Sequence, residues 1–358
     1  YLVNASEPPQ DAGHLAPELN ILAWMGKPVI VLLNQLGAPG QAERELAEVA
    51  RWREHLRPFA MVRAVLPLDA FGRCWVQEDE LLRQLAPCLP EAKAAGHQRL
   101  AEQWWSGQLR RFRHAMAAMA APLLAAAGPE AGEGEAAQRA LAQRVAREQA
   151  RLTEALLDLY GLRGAAGQAH WASLERALLT VQAPVKAGQA GLLGAITSGA
   201  ATGLGADLVA GGLSMGLGAL VGAVVGAATF AGAALAANRL RGVQAPTARL
   251  STAAWQELVG VALLTYLAVA HFGRGRGDFA DDGAPGRWRD AVRTALLPHA
   301  AELAELHAQV LDAVGSDLRG PRLAALLETL ALDALKQLHP GMDLRLARQG
   351  LERLDDLV

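Results

Sequence analysis

The stretch KPVIVLLNQLG, residues 27–37, decides the fold of the amino-terminal region. Its aliphatic residues form a continuous apolar run, which is typical of a strand buried on both faces. The run ends at Asn34, a polar residue at the carboxyl end of the predicted strand. Ligands of parallel α/β sheets bind outside the carboxyl ends of the strands, so Asn34 is a candidate ligand contact. The alternative is an Asn that ends a strand or caps a helix and binds nothing.

Strands and helices alternate on both sides of this stretch. YLVNA and MVRAVLPLD are predicted strands, and DAGHLAPELNILAWM and QAERELAEVARWREHL are predicted helices. Such alternation predicts a parallel sheet. Beyond Pro87 and Pro90 the pattern is almost entirely helical. We therefore predict an α/β domain over residues 1–88 and a mainly α-helical domain over residues 89–358.

The charge balance and the chemistry-bearing residues exclude several classes of function. With 34 Lys and Arg against 36 Asp and Glu, the chain lacks the basic excess that nucleic-acid binding requires. Cys74 and Cys88 form no CxxC pattern and are predicted to be buried thiols in a reducing compartment. The nine histidines show no HExxH or other paired-ligand spacing. The sequence therefore assigns neither a metal site nor a catalytic residue.

The order strand, helix, Lys-Pro, strand, Asn, helix, strand resembles the second half of an Era-like, translation-factor-class P-loop GTPase domain. In that family the strand ends in Asn-Lys-x-Asp, the box that recognises guanine, and Asn34 matches its Asn. EPPQDAGHLAPELNILAWMGKPVIVLLNQLG and VLPLDAFGRCWVQEDELL are similar to a bacterial GTPase family that has Asn-Gln in place of Asn-Lys. In that family a C-terminal domain of unknown function follows the GTPase domain. The resemblance implies a guanine nucleotide, GTP with Mg²⁺, whose base contacts Asn34, Gln35 and Ala70.

The chain departs from the GTPase pattern at several positions. Gln35 stands where the wider family has Lys, and Gly37 stands where its Asp accepts hydrogen bonds from guanine. The family's Ser-Ala loop would fall on residues 68–70, where only Ala70 matches. The sequence contains no GxxxxGK[ST] phosphate loop, which in the family precedes the strand that YLVNA resembles. The resemblance thus implies a fragment of a GTP hydrolase, one that does not hydrolyse GTP by itself.

The most apolar segment covers residues 187–237, where 13 Gly and 16 Ala accompany a single charged residue, Asp207. Its length suits two membrane-crossing helices of about 20 residues each. Glycines recur there at a spacing of four residues, which lets helix backbones approach closely. They are Gly212, Gly216, Gly218, Gly222 and Gly226. We predict a membrane hairpin with both ends in the cytoplasm; the alternative is a buried Gly/Ala hairpin in a soluble bundle.

Several other segments carry weaker predictions. LVGVALLTYLAVAHFG, residues 258–273, is predicted to be a core helix, and residues 125–137 and 272–286 are predicted loops. WWSGQLRRFRHAMAAMAAPLL suits either a membrane interface or an amphipathic helix with Met116 and Met119 in the core. The helix that carries Glu302, Glu305 and His307 has the charge pattern of a solvated face.

The sequence as a whole predicts part of a GTPase-like, nucleotide-dependent switch protein, cytoplasmic and attached to the inner membrane. A guanine nucleotide, a membrane and an unidentified protein are the expected partners. Two alternatives stay open. One is a soluble helical interaction or scaffold protein with no nucleotide function. The other is a pore-forming or toxin-like hairpin.

Overall fold

The computed structural model describes residues 1–36, 42–70, 72–131, 134–162, 247–272, 286–311 and 318–339. Within these ranges the protein consists of a small α/β unit, residues 1–70, followed by a helical bundle. The predicted hairpin over 187–237, with its five spaced glycines, lies outside the described residues, as do Gly37 and residues 273–285 of the predicted loop over 272–286.

The α/β unit alternates strands and helices in the predicted order. Its elements are β1 (Leu2–Asn4), α1 (Leu15–Trp24), β2 (Val29–Asn34), α2 (Ala42–Leu56) and β3 (Val62–Pro67). The strands are parallel in the order β1-β2-β3, with Leu2 opposite Leu32 and Leu33 opposite Pro67. The prediction of a parallel sheet is confirmed. All three carboxyl ends therefore lie at one edge of the sheet.

The core of this unit forms where the central strand meets the two helices. Val31 and Leu33 of β2 are fully buried, as expected of a strand covered on both faces. Leu19 of α1 and Trp52 of α2 belong to the same hydrophobic cluster. Because β2 lies between β1 and β3, this cluster fixes the position of the Asn34 backbone at the end of the strand.

The remaining described elements are almost all helices. In chain order they are α3 (Trp75–Leu85), α4 (Glu91–Ala127), β4 (Glu130–Ala131), α5 (Gly134–Tyr160), β5 (Thr247–Ala248), α6 (Thr252–Ala270), α7 (Gly286–Leu296), α8 (Ala300–Leu311) and α9 (Arg319–Leu338). Single turns of 3-10 helix occur at Pro9–Asp11, Ala86–Cys88 and Leu297–His299. β4 and β5 form an antiparallel pair. The fold is thus α/β at its start and helical beyond, as the sequence predicts at this coarse level.

The bundle has its own hydrophobic core, centred on α6. Residues Leu258–Val259 and Ala262–Leu263 of this helix are almost completely buried, which confirms the prediction of a core helix. Among the described residues, α6 is the one helix long and apolar enough to cross a membrane, yet 78% of its most apolar window is covered by the protein. Met116 and Met119 of α4 are fully buried in the same core, as the amphipathic alternative predicts.

Three predictions need correction. The predicted loop over 125–137 is shorter, because α4 continues to Ala127 and α5 begins at Gly134. His307 does not lie on a solvated face: it is 1% exposed, and its ring stacks on Trp255. Cys74 is buried as predicted, but Cys88 is only partly buried. Cys74 and Trp75, at the start of α3, pack in the bundle core.

Candidate functional site

Asn34 lies where β2 ends and bonds directly to the loop that follows β3. Its side-chain oxygen Oδ1 accepts a hydrogen bond of 2.8 Å from the backbone N–H of Ala70. The neighbouring β1 ends in register at Asn4, whose Oδ1 instead accepts from the backbone N–H and the hydroxyl of Ser6. Two parallel strands thus end in the same residue type, and only Asn34 reaches the β3 loop.

Asp69 makes the reciprocal connection. Its carboxylate oxygen Oδ2 accepts a hydrogen bond of 2.9 Å from the backbone N–H of Leu36, just beyond β2. Asp69 is only 7% exposed. A side chain from the end of each strand therefore binds the backbone beyond the other, which fixes the spacing of the two loops. A buried carboxylate that accepts a backbone N–H is well suited to this role.

Gln35 connects these interactions and has an unusual backbone. Its φ of +60° lies in the left-handed region, which an L-residue with a Cβ occupies at a cost. Its side chain is exposed. Residues in such conformations persist when the surroundings over-determine them, and they are concentrated at ligand sites. We call Asn34, Gln35, Asp69 and Ala70 the strand-end site.

The structure brings together the three residues predicted to contact a base, with one qualification. The Ala70 N–H is engaged by Asn34, so it would have to leave Asn34 before it could bind a base. The Asn34 amide nitrogen Nδ2 donates no hydrogen bond to any residue that the structure describes, and Asn34 is half-buried. The group available to a ligand is therefore a donor. The sequence did not predict that Asp69 would bind the backbone of the neighbouring loop. The feature that could have indicated it is an acidic residue directly after an apolar strand.

A second group of polar side chains lies where three helices end. Cys74 immediately precedes α3, His271 follows α6 and His339 follows α9. One potential ligand atom from each side chain lies within 4.8 Å of the other two. We call these residues the helix-end cluster. Sequence analysis assigned no metal site because no two of these residues are close in sequence. The signal in the chain is a Cys or His directly beside the end of an apolar helix.

Burial keeps the histidines of the cluster neutral, although the contact with the Leu267 carbonyl opposes this at His271. His271 Nδ1 lies 2.8 Å from the Leu267 carbonyl oxygen, and its Nε2 lies 2.9 Å from His339 Nε2. The two rings are stacked at 13°, and Trp288 packs against His271. Burial lowers the pKa of His271 to about 4, and burial together with His271 and Arg287 holds the pKa of His339 well below its usual range.

The Cys74 thiol is fully buried beside these rings. Burial raises its pKa to about 12, although the backbone amides of Val76 and Trp75 at the start of α3 act in the opposite direction. The Cys74 backbone N–H donates to the side-chain oxygen Oε1 of Gln77 at 2.9 Å. The Gln77 side chain therefore helps to fix the start of α3, together with the Cys74 side chain, in a capping box.

Comparison with known families shows where this chain belongs. Residues 58–322 match the model of a family described as a domain of unknown function, DUF3482. The chain belongs to the DUF3482 family. No curated protein and no solved structure matches it. The DUF3482 match includes Asp69, Ala70, Cys74 and His271, whereas Asn34, Gln35 and His339 lie outside the matched residues.

Proposed function

We propose that the α/β unit supplies the base-binding edge of a GTPase-like, nucleotide-dependent switch protein. The observation that carries the proposal is the hydrogen bond from the Ala70 N–H to Asn34 Oδ1 at the carboxyl edge of a parallel sheet. This edge is where ligands of open α/β sheets bind. The GTPase-like sequence order of these strands supports the same assignment.

The chemistry of the strand-end site suits a purine base. Asn34 Oδ1 is held by Ala70, so the amide is oriented with its NH₂ group as the available donor. A purine offers matching acceptors, N7 on adenine and both N7 and O6 on guanine. The exposed Gln35 side chain, on the residue after Asn34, can supply a further donor or acceptor. The residues present therefore fit a base.

The proposal assigns no phosphate or metal chemistry to this chain. GTP and Mg²⁺ are the ligands that the sequence resemblance implies, and no GxxxxGK[ST] loop occurs between residues 1 and 358. Hydrolysis, which makes the switch directional, would depend on groups that cradle the phosphates. The residues of the strand-end site bind and orient the base, and the loop beyond β3 transmits occupancy toward α3.

Exposed apolar side chains on β1 and α1 also support the proposal. Leu2, Ile21 and Trp24 are 59%, 62% and 88% exposed, although each belongs to an element of the α/β unit. Ile21 and Trp24 are three residues apart on α1 and share one helical face, and adjacent exposed apolar side chains mark surfaces that another protein layer covers. The phosphate-binding half of a GTPase domain would be such a layer. Membrane attachment through residues 187–237 is the remaining part of the proposal and rests on sequence alone.

The test is a titration of the gene's complete protein product with fluorescent GDP, in competition with unlabelled GDP and ADP. Asn34→Asp keeps an oxygen for the Ala70 N–H and replaces the free amide donor with an acceptor. Loss of one base contact of this kind costs about 1–3 kcal/mol, so the Kd for GDP should rise roughly 5- to 150-fold. The unfolding midpoint should stay close to that of the wild type.

Asn4→Asp is the matched control, because Asn4 ends the neighbouring strand in register with Asn34 but binds Ser6. It should leave the Kd unchanged. The proposal fails if the wild-type product binds no guanine nucleotide, or if both substitutions weaken binding equally. Equal competition by GDP and ADP would retain a base site but remove the guanine assignment.

The second candidate function is a helical interaction protein without nucleotide binding. This function is favoured by exposed apolar side chains at Ile21 and Trp24 of α1 and at Met25, directly after the helix. They share one helical face, since they are three and four residues apart. Under this alternative GDP does not bind, and Trp24→Ser removes the protein from a complex seen by size-exclusion chromatography. Recovery of the protein after a carbonate wash, in the membrane or in the soluble fraction, tests the hairpin separately.

A further inference from the structure

We propose that Cys74, His271 and His339 bind a thiophilic metal ion, Zn²⁺ or Cu⁺, that holds the start of α3 to the ends of α6 and α9. One thiol and two imidazoles are the ligand types that these ions prefer, whereas Mg²⁺ and Ca²⁺ require oxygen ligands. The inference concerns the helix-end cluster alone and does not depend on nucleotide binding.

The positions of the donor atoms are close to those that a metal requires. One atom from each residue lies within 4.8 Å of the other two. Zinc bonds of about 2.0–2.1 Å to nitrogen place two ligating nitrogens about 3.3 Å apart in a tetrahedron. The Nε2 atoms of His271 and His339 are 2.9 Å apart, so they need to separate by only a few tenths of an ångström. Three protein ligands leave one position for water or another ligand.

One of the two imidazoles is already in the tautomer that binds a metal. A carbonyl oxygen can only accept, so the contact of 2.8 Å between His271 Nδ1 and Leu267 O places the proton on Nδ1. The lone pair of His271 Nε2 then points toward His339. A ring N–H donated to a backbone carbonyl is the arrangement that orients metal-binding histidines. With a metal bound, His339 carries its proton on Nδ1 and ligates through Nε2.

The backbone brings Cys74 to these histidines without help from a metal. Gly72 and Phe272 form an antiparallel bridge, two residues before Cys74 and one residue after His271. The bundle core also includes Cys74, so its thiol sits in a shielded position that is held by packing. A preorganised site of this kind loses little conformational freedom when the ion binds.

The charge balance limits which ion binds and how. Binding breaks the S–H bond of Cys74 and forms a metal–thiolate bond, and one proton per ion leaves to the buffer. Arg287, whose side chain donates to the carbonyl of Leu338, places a positive charge near both histidines and disfavours a cation. The single negative charge of the thiolate neutralises the whole charge of a bound Cu⁺ but only half of the charge of a bound Zn²⁺. The two ions therefore form the two arms of the experiment.

The experiment uses the untagged full chain, reduced and treated with a chelator before titration. Co²⁺ serves as a spectroscopic probe for Zn²⁺, because a thiolate ligand gives a charge-transfer band in the near ultraviolet. We expect one Co²⁺ per chain, displaced by one Zn²⁺, with one proton released. Cys74→Ser should abolish the band and weaken Zn²⁺ binding at least about 100-fold. In the second arm, the same protein competes for Cu⁺ with a colorimetric chelator, and the tighter ion is the assigned one.

Cys88→Ser is the matched control, because Cys88 is the other cysteine and its Sγ contacts the carbonyl of Gln84. It should leave the band and the affinity unchanged. A band that survives Cys74→Ser, a band lost in Cys88→Ser, or binding of neither ion overturns the proposal. If Cys74→Ser does not fold, X-ray absorption of the wild-type zinc complex decides. One sulfur at about 2.3 Å with nitrogens at about 2.0 Å supports the site, and a shell without sulfur excludes it.

Discussion

The strand-end site and the end of α5 both contain a residue in the left-handed backbone conformation, but the residue type differs. At the end of α5, the left-handed residue is Gly161, with φ of +67°, and the N–H of Leu162 closes the turn onto Leu157. In the strand-end site it is Gln35, with φ of +60°. Glycine has no Cβ to clash there, whereas an L-residue is destabilised by about 1–2 kcal/mol. The end of α5 uses the unstrained choice, as does Gly26 after α1 with φ of +63°, whereas the strand-end site accepts strain beside its candidate ligand contact.

Two fully buried tryptophans show a parallel difference. Trp255 in the bundle donates its indole N–H to the carbonyl of Leu123 at 2.9 Å. Trp52 in the α/β unit is equally buried, but its indole nitrogen has no hydrogen-bond partner within the described residues. An unpaired buried donor is costly. At these two positions the α/β unit carries a local cost that the matched position in the bundle avoids. The difference is confined to these positions, because the bundle also has buried side-chain atoms without a partner in the described residues, such as His307 Nε2.

The largest effect that tests this difference comes from the two cores. Leu33 of β2 and Leu327 of α9 are both fully buried, and they belong to separate hydrophobic clusters. Replacing either by Ala should cost about 2–5 kcal/mol. In hydrogen–deuterium exchange followed by mass spectrometry, Leu33→Ala should accelerate exchange in β1–β3 and leave α4 and α9 protected. Leu327→Ala should do the reverse.

The same experiment ranks the two units in the wild type. We expect β1–β3 to exchange at a lower opening free energy than α6. If either substitution accelerates exchange equally in both units, the protein unfolds as one cooperative body and the contrast between the units has no energetic content.

The sequence predicts the α/β unit well because its signals are local. An apolar run with a polar end identifies β2, and parallel strands bring their carboxyl ends to one edge, so the proximity of Asn34 and Ala70 follows from topology. The positive φ of Gln35 is not predictable from residue type, because Gln has no preference for it. Tertiary context imposes it through the bonds on either side.

The helix-end cluster is not predictable from sequence for a different reason. His271 and His339 are 68 positions apart, and they meet because α6 and α9 end at the same place in the bundle. Helix packing angles and lengths decide this, and neither is readable from periodicity. Motif spacing detects metal ligands on one helix or one loop, and the ends of three helices have no such spacing. His307 illustrates the same limit. Its charged neighbours in sequence predicted a solvated face, but its ring is buried.

The tryptophan pair gives the next largest effect. Trp255→Phe and Trp52→Phe remove similar apolar area, but only the first removes a hydrogen bond. Trp255→Phe should therefore destabilise the protein by roughly 0.5–1.5 kcal/mol more than Trp52→Phe in urea denaturation. The difference between the two variants is the informative quantity, because the loss of ring volume is common to both. Equal destabilisation would mean that Trp52 has an unrecognised partner or that the Leu123 bond contributes nothing.

The smallest effect concerns the two left-handed residues and should have opposite signs. Gln35→Gly removes strain of about 1–2 kcal/mol and adds the chain entropy of glycine, so it should stabilise the α/β unit by about 0.5–1 kcal/mol. Gly161→Ala should destabilise the bundle by about 1 kcal/mol, because nothing crowds its Cβ and only the φ of +67° opposes it. Gln35→Val, which is β-branched, should be worse than the wild type. Urea denaturation measures all three.

If the strain at Gln35 serves ligand binding, Gln35→Gly should also weaken GDP binding, because a relaxed backbone no longer fixes the direction of Asn34. A stabilised variant with undiminished binding would show that the strain is incidental to the site.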